Sequence, residues 1–431
     1  MSSRSPRLAA LKSATSLSVL RASLRARAAF GDPVARLLDT SPRWDRDREQ
    51  ERVRAGGDLG RSKLGMRVTA SHAVCGQVLR DPAFGVLQPL PPPEALGLSS
   101  QLVNPVTDSF LTLNPPDHGR LRRLAAPWFT PRGLRARQES VRRVMDEHLG
   151  ALAGRERFDL VEDFAARVPV RIIADLLGVP GGDHSAFGRW GSAIISSLDG
   201  VRSARQARRL RVALVEFEAF LDDLVELRRR EPGEDVVSAL VAEPGLSRAD
   251  LLATTELLLV AGFETTVNLI GNAVLLLLDR PLDRERLVAE EAWAEAVVEE
   301  VLRLDPPVRY TIRAPFEPVE LAGSRLRPMT PVVLLLAGAN RDPEVFAEPD
   351  RFLPGRERGR EHLAFSSGIH YCLGAGLARM EAVAALRGLF GRFPDLELAG
   401  RVRPRRSGTI RGPVSLPVST SVGHTIELNK R

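Results

Sequence analysis

Apolar residues recur at three- and four-residue intervals over 119–130, 134–152, 159–177, 186–197 and 203–230. That period turns one face of a helix toward a core. The pattern thickens at 251–278, "LLATTELLLVAGFETTVNLIGNAVLLLL", where apolar side chains occur all round; a helix of this kind is buried on every side. Ser247, with Asp250 three residues on, reads as a capping-box start, and the helix should run to about Asp279, ahead of Pro281. At ~1.5 Å per residue it is long enough to cross a whole domain. Glu256, Glu264, Asn268 and Asn272 interrupt it, so it falls short of the ~18 consecutive apolar residues of a membrane span. Another helix is predicted over 283–304, ending at "DPP". Residues 318–336 read as short strands broken by glycine and proline, and "TIRGPVSLPV" as a last small β element. "PLPPPEALGLSSQLVNP", residues 89–105, is predicted as a loop, because its prolines forbid a continuous helix. The pattern predicts a mostly α chain with small β-sheets.

Composition narrows the function classes. The 431 residues carry a net charge of +7, but six uncompensated cations (Arg4, Arg7, Lys12, Arg21, Arg25 and Arg27) lie in the first thirty, leaving the rest near +1. The basicity belongs to an N-terminal extension, residues 1–30, and does not point to nucleic-acid binding. Residues 8–29 can form a basic amphipathic helix, packed on the body or in weak contact with a membrane surface. They lack a secretory pattern, since arginine and serine interrupt every apolar run. Two cysteines, Cys75 and Cys372, cannot build a disulfide framework, and a reducing, cytoplasmic setting is expected. Cys75, inside "SHAVCGQVLRDP", reads as a small core residue.

Cys372 stands in "AFSSGIHYCLG", residues 364–374, just before a predicted helix. A thiolate there gains from the helix dipole and from free N–H groups. Gly368 and Gly374 permit a tight turn, and Phe365 can shield the sulfur. A zinc or iron–sulfur site needs more soft ligands than this chain has, whereas haem iron needs one protein ligand. Four further segments carry chemistry: "AGFETT" at 261–266, "EVLR" at 300–303, "NPPDHGRLR" at 114–122 and "YTIRAP" at 310–315.

Together these segments resemble the cytochrome P450 family. "FSSGIHYCLG" resembles its haem-binding signature F-G-x-G-x-H-x-C-x-G, with Ser366 where the family usually has glycine. The resemblance covers about Asp32 to the C-terminus and implies a P450 catalytic domain over 31–431, with haem b between the long central helix and the Cys372 loop. It implies that Cys372 is the axial iron ligand and that Phe365, Gly368 and Gly374 shape its loop. It implies that His118, Arg122, Arg313 and His370 hold the haem propionates, and that Glu264 and Thr265 relay protons for oxygen activation. Gly262 is expected to leave space beside the helix. Glu300 and Arg303 resemble the family's E-x-x-R pair, with Arg351 of "EPDRF" as third partner. The implied substrate pocket is lined by Phe84, Val86, Leu87, Leu258, Ala261, Val308, Tyr310, Thr311 and Leu416, mostly apolar, as suits a lipophilic ligand. No flavin or iron–sulfur segment is visible, so electrons are expected from a separate ferredoxin and its NAD(P)H-dependent reductase. Arg132, Arg135, Arg137, Arg358, Arg360 and Arg379 form a candidate docking face. Three other readings stand beside this one: a peroxide-driven oxygenase, a haem-thiolate binding protein without turnover, and a Cys372–His370 hydrolase. The last lacks a third orienting group.

Overall fold

The structure, a computed structural model, describes residues 22–39, 41, 43–87, 106–181, 185–201 and 203–421. The predicted loop at 89–105 and most of the basic extension lie outside them; residues 22–29 are helical (α1). Fourteen further helices follow among the described residues: α2 Pro33–Leu38, α3 Arg46–Ala55, α4 His72–Arg80, α5 Asp117–Ala125, α6 Pro131–Gly150, α7 Arg167–Leu177, α8 Ser185–Ile195, α9 Ala204–Arg230, α10 Val236–Val241, α11 Arg248–Leu277, α12 Pro281–Ala289, α13 Glu291–Leu304, α14 Leu336–Ala339 and α15 Ala375–Arg392. The strands are β1 Gly60–Arg61, β2 Arg67–Thr69, β3 Phe84–Val86, β4 Arg157–Asp159, β5 Thr311–Pro315, β6 Val319–Leu321, β7 Ser324–Leu326, β8 Val332–Leu334, β9 Glu397–Leu398, β10 Arg403–Pro404, β11 Pro413–Ser415 and β12 Pro417–Ser419.

Helix α11 is the axis of the molecule. Its side chains from Leu251 to Val260 and from Thr266 to Val274 are all buried, and it packs against α7, α8, α13 and α15. By length and composition it is apolar enough to cross a membrane, yet 83% of its most apolar stretch is buried inside the protein. At its start Ser247 Oγ accepts the Asp250 N–H at 3.1 Å. The Asp250 carboxylate goes to Arg120 instead of returning to the cap, so half of the expected box forms.

The main sheet has the order β1-β2-β8-β5-β3, with β2 and β8 parallel. Strand β5 alternates: Thr311 and Arg313 share one face, while Ile312, like Tyr310 ahead of the strand, packs into a separate small core with Val34, Leu37 and Val333. Cys75 is fully buried beside Phe84 and Leu334 in another.

Three predicted helices are interrupted. Residues 159–177 divide into β4, a π-turn at Val161–Ala165 and α7. The Asp159 carboxylate accepts from the N–H groups of Val161 and Glu162, a local bond that competes with a continuous helix. Residues 119–130 end in a 3₁₀ turn, Ala126–Phe129, where Pro127 offers no N–H. Residues 283–304 break at Glu290, which is extended (φ −115°, ψ 111°). The break re-aims α13 so that Ala294, Val297, Val298 and Val301 enter the core, whereas α12 buries only Leu287.

Candidate functional site

The Cys372 loop is a closed turn. The Cys372 N–H donates to Phe365 O at 2.9 Å, and the Tyr371 N–H to Gly368 O at 3.0 Å. Gly368 has φ +66°, and a Cβ there would lie 2.2 Å from Leu79 O at the end of α4. Glycine is therefore required twice over, by conformation and by close approach. Ser366 also lies in the left-handed region, at φ +62°. Its departure from the family's glycine thus carries a conformational cost, and its buried hydroxyl finds no partner. Cys372 keeps an exposed face, although surrounding protein pushes its thiol above the ordinary range. The Gly374 N–H bonded to the sulfur, then Arg122 and Arg379, pull it back down. The Phe365 ring lies beside this turn under the Arg379 guanidinium, 4.5 Å away.

Beside the loop, four predicted cationic residues converge. The His118 and His370 rings stand 4.2 Å apart, and Arg122 Nη2 donates to Tyr371 O at 2.6 Å. Burial holds Arg313 down to about 10. Burial, then Arg313, His118 and Arg122, holds His370 down to about 3. No carboxylate contributes to either shift, and Nε2 of both histidines is buried without a partner. A crowd of donors without a counter-charge fits a ligand with two carboxylates, and haem has two propionates.

On α11, Ala261 is exposed and Gly262 and Thr265 half-buried, a short accessible stripe between the buried runs 251–260 and 266–274. Thr265 Oγ donates to Ala261 O at 2.9 Å. Glu264, about 100° round the helix, points elsewhere: its Oε2 meets Arg405 Nη2 at 2.8 Å. Burial raises its carboxyl and Arg405 lowers it. The expected acid–alcohol pair is adjacent in sequence but separately anchored. Gly262 does not leave open space, because a Cβ there would lie 3.1 Å from Ile173 Cδ1; the glycine lets α7 approach.

The E-x-x-R network forms with one change of member. Arg303 Nε and Nη2 each donate to Glu300 at 2.8 Å, and the Leu353 N–H adds a third bond at 2.8 Å. The second guanidinium is that of Arg356, 3.0 Å from Glu300. Arg351 does not fill that role: its side chain is exposed and pairs with Glu348, and only its carbonyl reaches Arg303. Two arginines five positions apart look alike in the sequence, and only the turn at 353–356 decides which enters. Glu299, unassigned in the sequence, accepts from Arg379 and His362.

The predicted pocket residues divide. Ala261 and Thr311 keep accessible faces, and Val86 and Leu87 lead to the end of β3. Asn114 fastens Val86 there through both backbone groups. Leu258 and Leu416 are buried in the main core and Phe84 in a smaller one. Val308 bridges Ile410. The Tyr310 hydroxyl meets Thr409 at 2.9 Å within the small core behind β5. The six-arginine face is partly neutralised: Arg358 pairs with Glu361, Arg360 with Glu295 and Arg379 with Glu299, while Arg137 stacks on Trp128. Arg132 and Arg135, at the start of α6, remain exposed.

Comparison with known proteins bears on the family and the fold. The family profile described as Cytochrome P450 matches residues 98–407. A putative cytochrome P450 140 of Mycobacterium tuberculosis (strain ATCC 25618 / H37Rv) is 37% identical over 406 residues, covering 90% of this chain and 92% of the relative. The 6-deoxyerythronolide B hydroxylase of Saccharopolyspora erythraea is 39% identical over 335 residues, 76% of this chain and 81% of its own. The crystal structure of the myxobacterial cytochrome P450 CYP267B1 in complex with myristic acid superposes with a TM-score of 0.80 at 35% identity, covering 90% of this chain and 99% of that one.

Proposed function

This chain belongs to the cytochrome P450 family and is a haem b-dependent monooxygenase, and from that premise we propose that it oxidises a lipophilic small molecule at a C–H or C=C bond. The observation that carries the proposal is the cluster of His118, Arg122, Arg313 and His370, donors with no carboxylate acting on Arg313 or His370, beside Cys372, whose sulfur accepts the Gly374 N–H. Bound haem supplies the activation of dioxygen at its thiolate-ligated iron. Cys372 is the ligand; its turn holds the sulfur in place, and the N–H donor favours the ionised form. His118, Arg122, Arg313 and His370 would receive the two haem propionates. Thr265 presents a hydroxyl on the accessible stripe, and Glu264 is the neighbouring acid for proton delivery. The accessible Ala261 and Thr311, with Val86 and Leu87, supply a largely apolar wall. A hydroxylase of a macrolactone and a relative bound to a fatty acid support a lipophilic substrate.

Electrons come from a separate ferredoxin and its NAD(P)H-dependent reductase in the cytoplasm, with Arg132 and Arg135 as the free cations for an acidic partner. The basic extension contributes at most weak membrane contact. A peroxide-driven enzyme would need neither Glu264 nor Thr265, both of which this chain keeps.

The test is reconstitution with a surrogate ferredoxin and reductase over a panel of fatty acids, steroids and macrolactones, beside the carbon monoxide spectrum of the reduced protein. Product that depends on NADPH, with a far red-shifted Soret band lost in Cys372→Ser, is expected. Product from hydrogen peroxide alone overturns the ferredoxin assignment. An ordinary haem–CO band in the wild type overturns the thiolate assignment.

A further inference from the structure

Glu264 is held by an element far along the chain. Strands β10 and β11 form a hairpin, closed by the Arg405 N–H donating to Gly412 O at 2.9 Å. The hairpin lies directly on α11. A Cβ at Gly412 would come within 2.1 Å of Asn268 Oδ1, and one at Gly271 within 2.6 Å of Pro413. One turn before Asn268, Arg405 Nη2 meets Glu264 Oε2 at 2.8 Å, with the two side chains 15% and 5% exposed. The outer end of the hairpin is tied elsewhere. Asp199 Oδ1, in the 3₁₀ turn after α8, accepts from the N–H groups of Gly408 and Thr409 and from Thr409 Oγ, at 2.9–3.0 Å.

We propose that Arg405 is the positioning residue for Glu264, anchoring its carboxylate on the hairpin, and that Asp199 couples this anchorage to the segment joining α8 and α9. The inference rests on Glu264 as the acid of proton delivery. A carboxylate bonded to a guanidinium is not free to turn toward Thr265, so opening this pair controls when Glu264 can pass a proton. Displacement of the α8–α9 segment pulls on the loop that carries Arg405. Among the described residues, Arg405 is the charged group that acts on Glu264. On the elements packed round α11, Asp163 pairs with Arg155, Arg171 with Asp175, and Arg379 with Glu299.

The test uses the haem-loaded protein and two independent readouts. Infrared difference spectra, wild type minus Glu264→Gln, identify the Glu264 carboxyl band and its titration. In Arg405→Gln the titration is expected to move up by about one pH unit or more. In Arg405→Lys it stays near the wild-type position, and in Asp199→Asn it moves up part of the way. An unmoved titration in Arg405→Gln overturns the role of Arg405, and an unmoved one in Asp199→Asn overturns the coupling. NADPH consumption with a surrogate ferredoxin and reductase tests the underlying reading separately. Glu264→Gln should slow it by roughly a factor of 100, and an unchanged rate removes Glu264 from proton delivery whatever the infrared titration shows.

Discussion

Single positions in and behind the cysteine loop carry measurable costs. Ser366 holds a left-handed backbone and buries an unpartnered hydroxyl. Ser366→Gly removes both penalties and gives back some chain entropy, so we expect a net gain of about 1 kcal/mol in urea unfolding. Destabilisation instead would mean that the hydroxyl has a partner in the folded protein. Glu381, fully buried on α15, has its carboxyl pushed up to about 8 by burial. The folded protein therefore keeps a proton that the unfolded chain releases near 4.5. This contribution is fully present below the unfolded value and is lost as pH rises toward 8. Glu381→Gln should be favoured over wild type by on the order of 4 kcal/mol more at pH 8 than at pH 4.5. Parallel stability–pH curves for the two proteins would refute the assignment.

At the scale of elements, α13 is fixed to the segment before the cysteine loop by one buried network. Glu300 accepts from Arg303, Arg356 and the Leu353 N–H, and Arg303 also donates to the carbonyls of Asn340, Pro349 and Arg351. Removing one member of a buried ion network leaves the others undercompensated, so Arg356→Ala should cost about 3 kcal/mol and weaken haem retention. Arg351→Ala removes only an exposed pair with Glu348 and should cost less than about 0.5 kcal/mol. Equal losses from the two variants, read by thermal unfolding and haem content, would overturn this assignment.

Across the whole molecule, a second charge cluster joins the two ends of the described chain. Arg309, fully enclosed ahead of β5, donates to Asp47 of α3 and to Asp305 after α13; Arg411, beside the C-terminal hairpin, also pairs with both acids. Burial raises the Asp47 carboxyl, but Arg309 and Arg411 outweigh it and bring it to about 2, from 3.8. A depressed carboxyl contributes stability that is present above its unfolded value and lost as pH falls toward its folded one. Asp47→Asn should lower stability by about 2 kcal/mol at pH 7, with the gap to wild type narrowing below pH 4. A gap that does not depend on pH would show that Asp47 acts by packing alone.

The sequence by itself determined what local pattern can encode. The apolar period marks α6 and α9, the all-round apolar run marks α11, and the glycines around Cys372 mark the tight turn ahead of α15. His118, Arg122, Arg313 and His370 are legible only through the resemblance of their segments to the family's, and the structure brings them together beside the Cys372 loop. Tertiary structure decided every pairing between distant segments. That Arg356 and not Arg351 enters the Glu300 network, that Glu264 faces Arg405 and not Thr265, and that Tyr310 turns away from Thr311 all depend on turns, strand alternation and hairpin docking. The breaks at Glu290 and after Asp159 likewise reflect which side chains the core accepts. The physical reason is the same in each case. Periodicity fixes which face of an element is apolar, but the partner of a buried charge is chosen by desolvation and geometry, which exist only once the chain has closed.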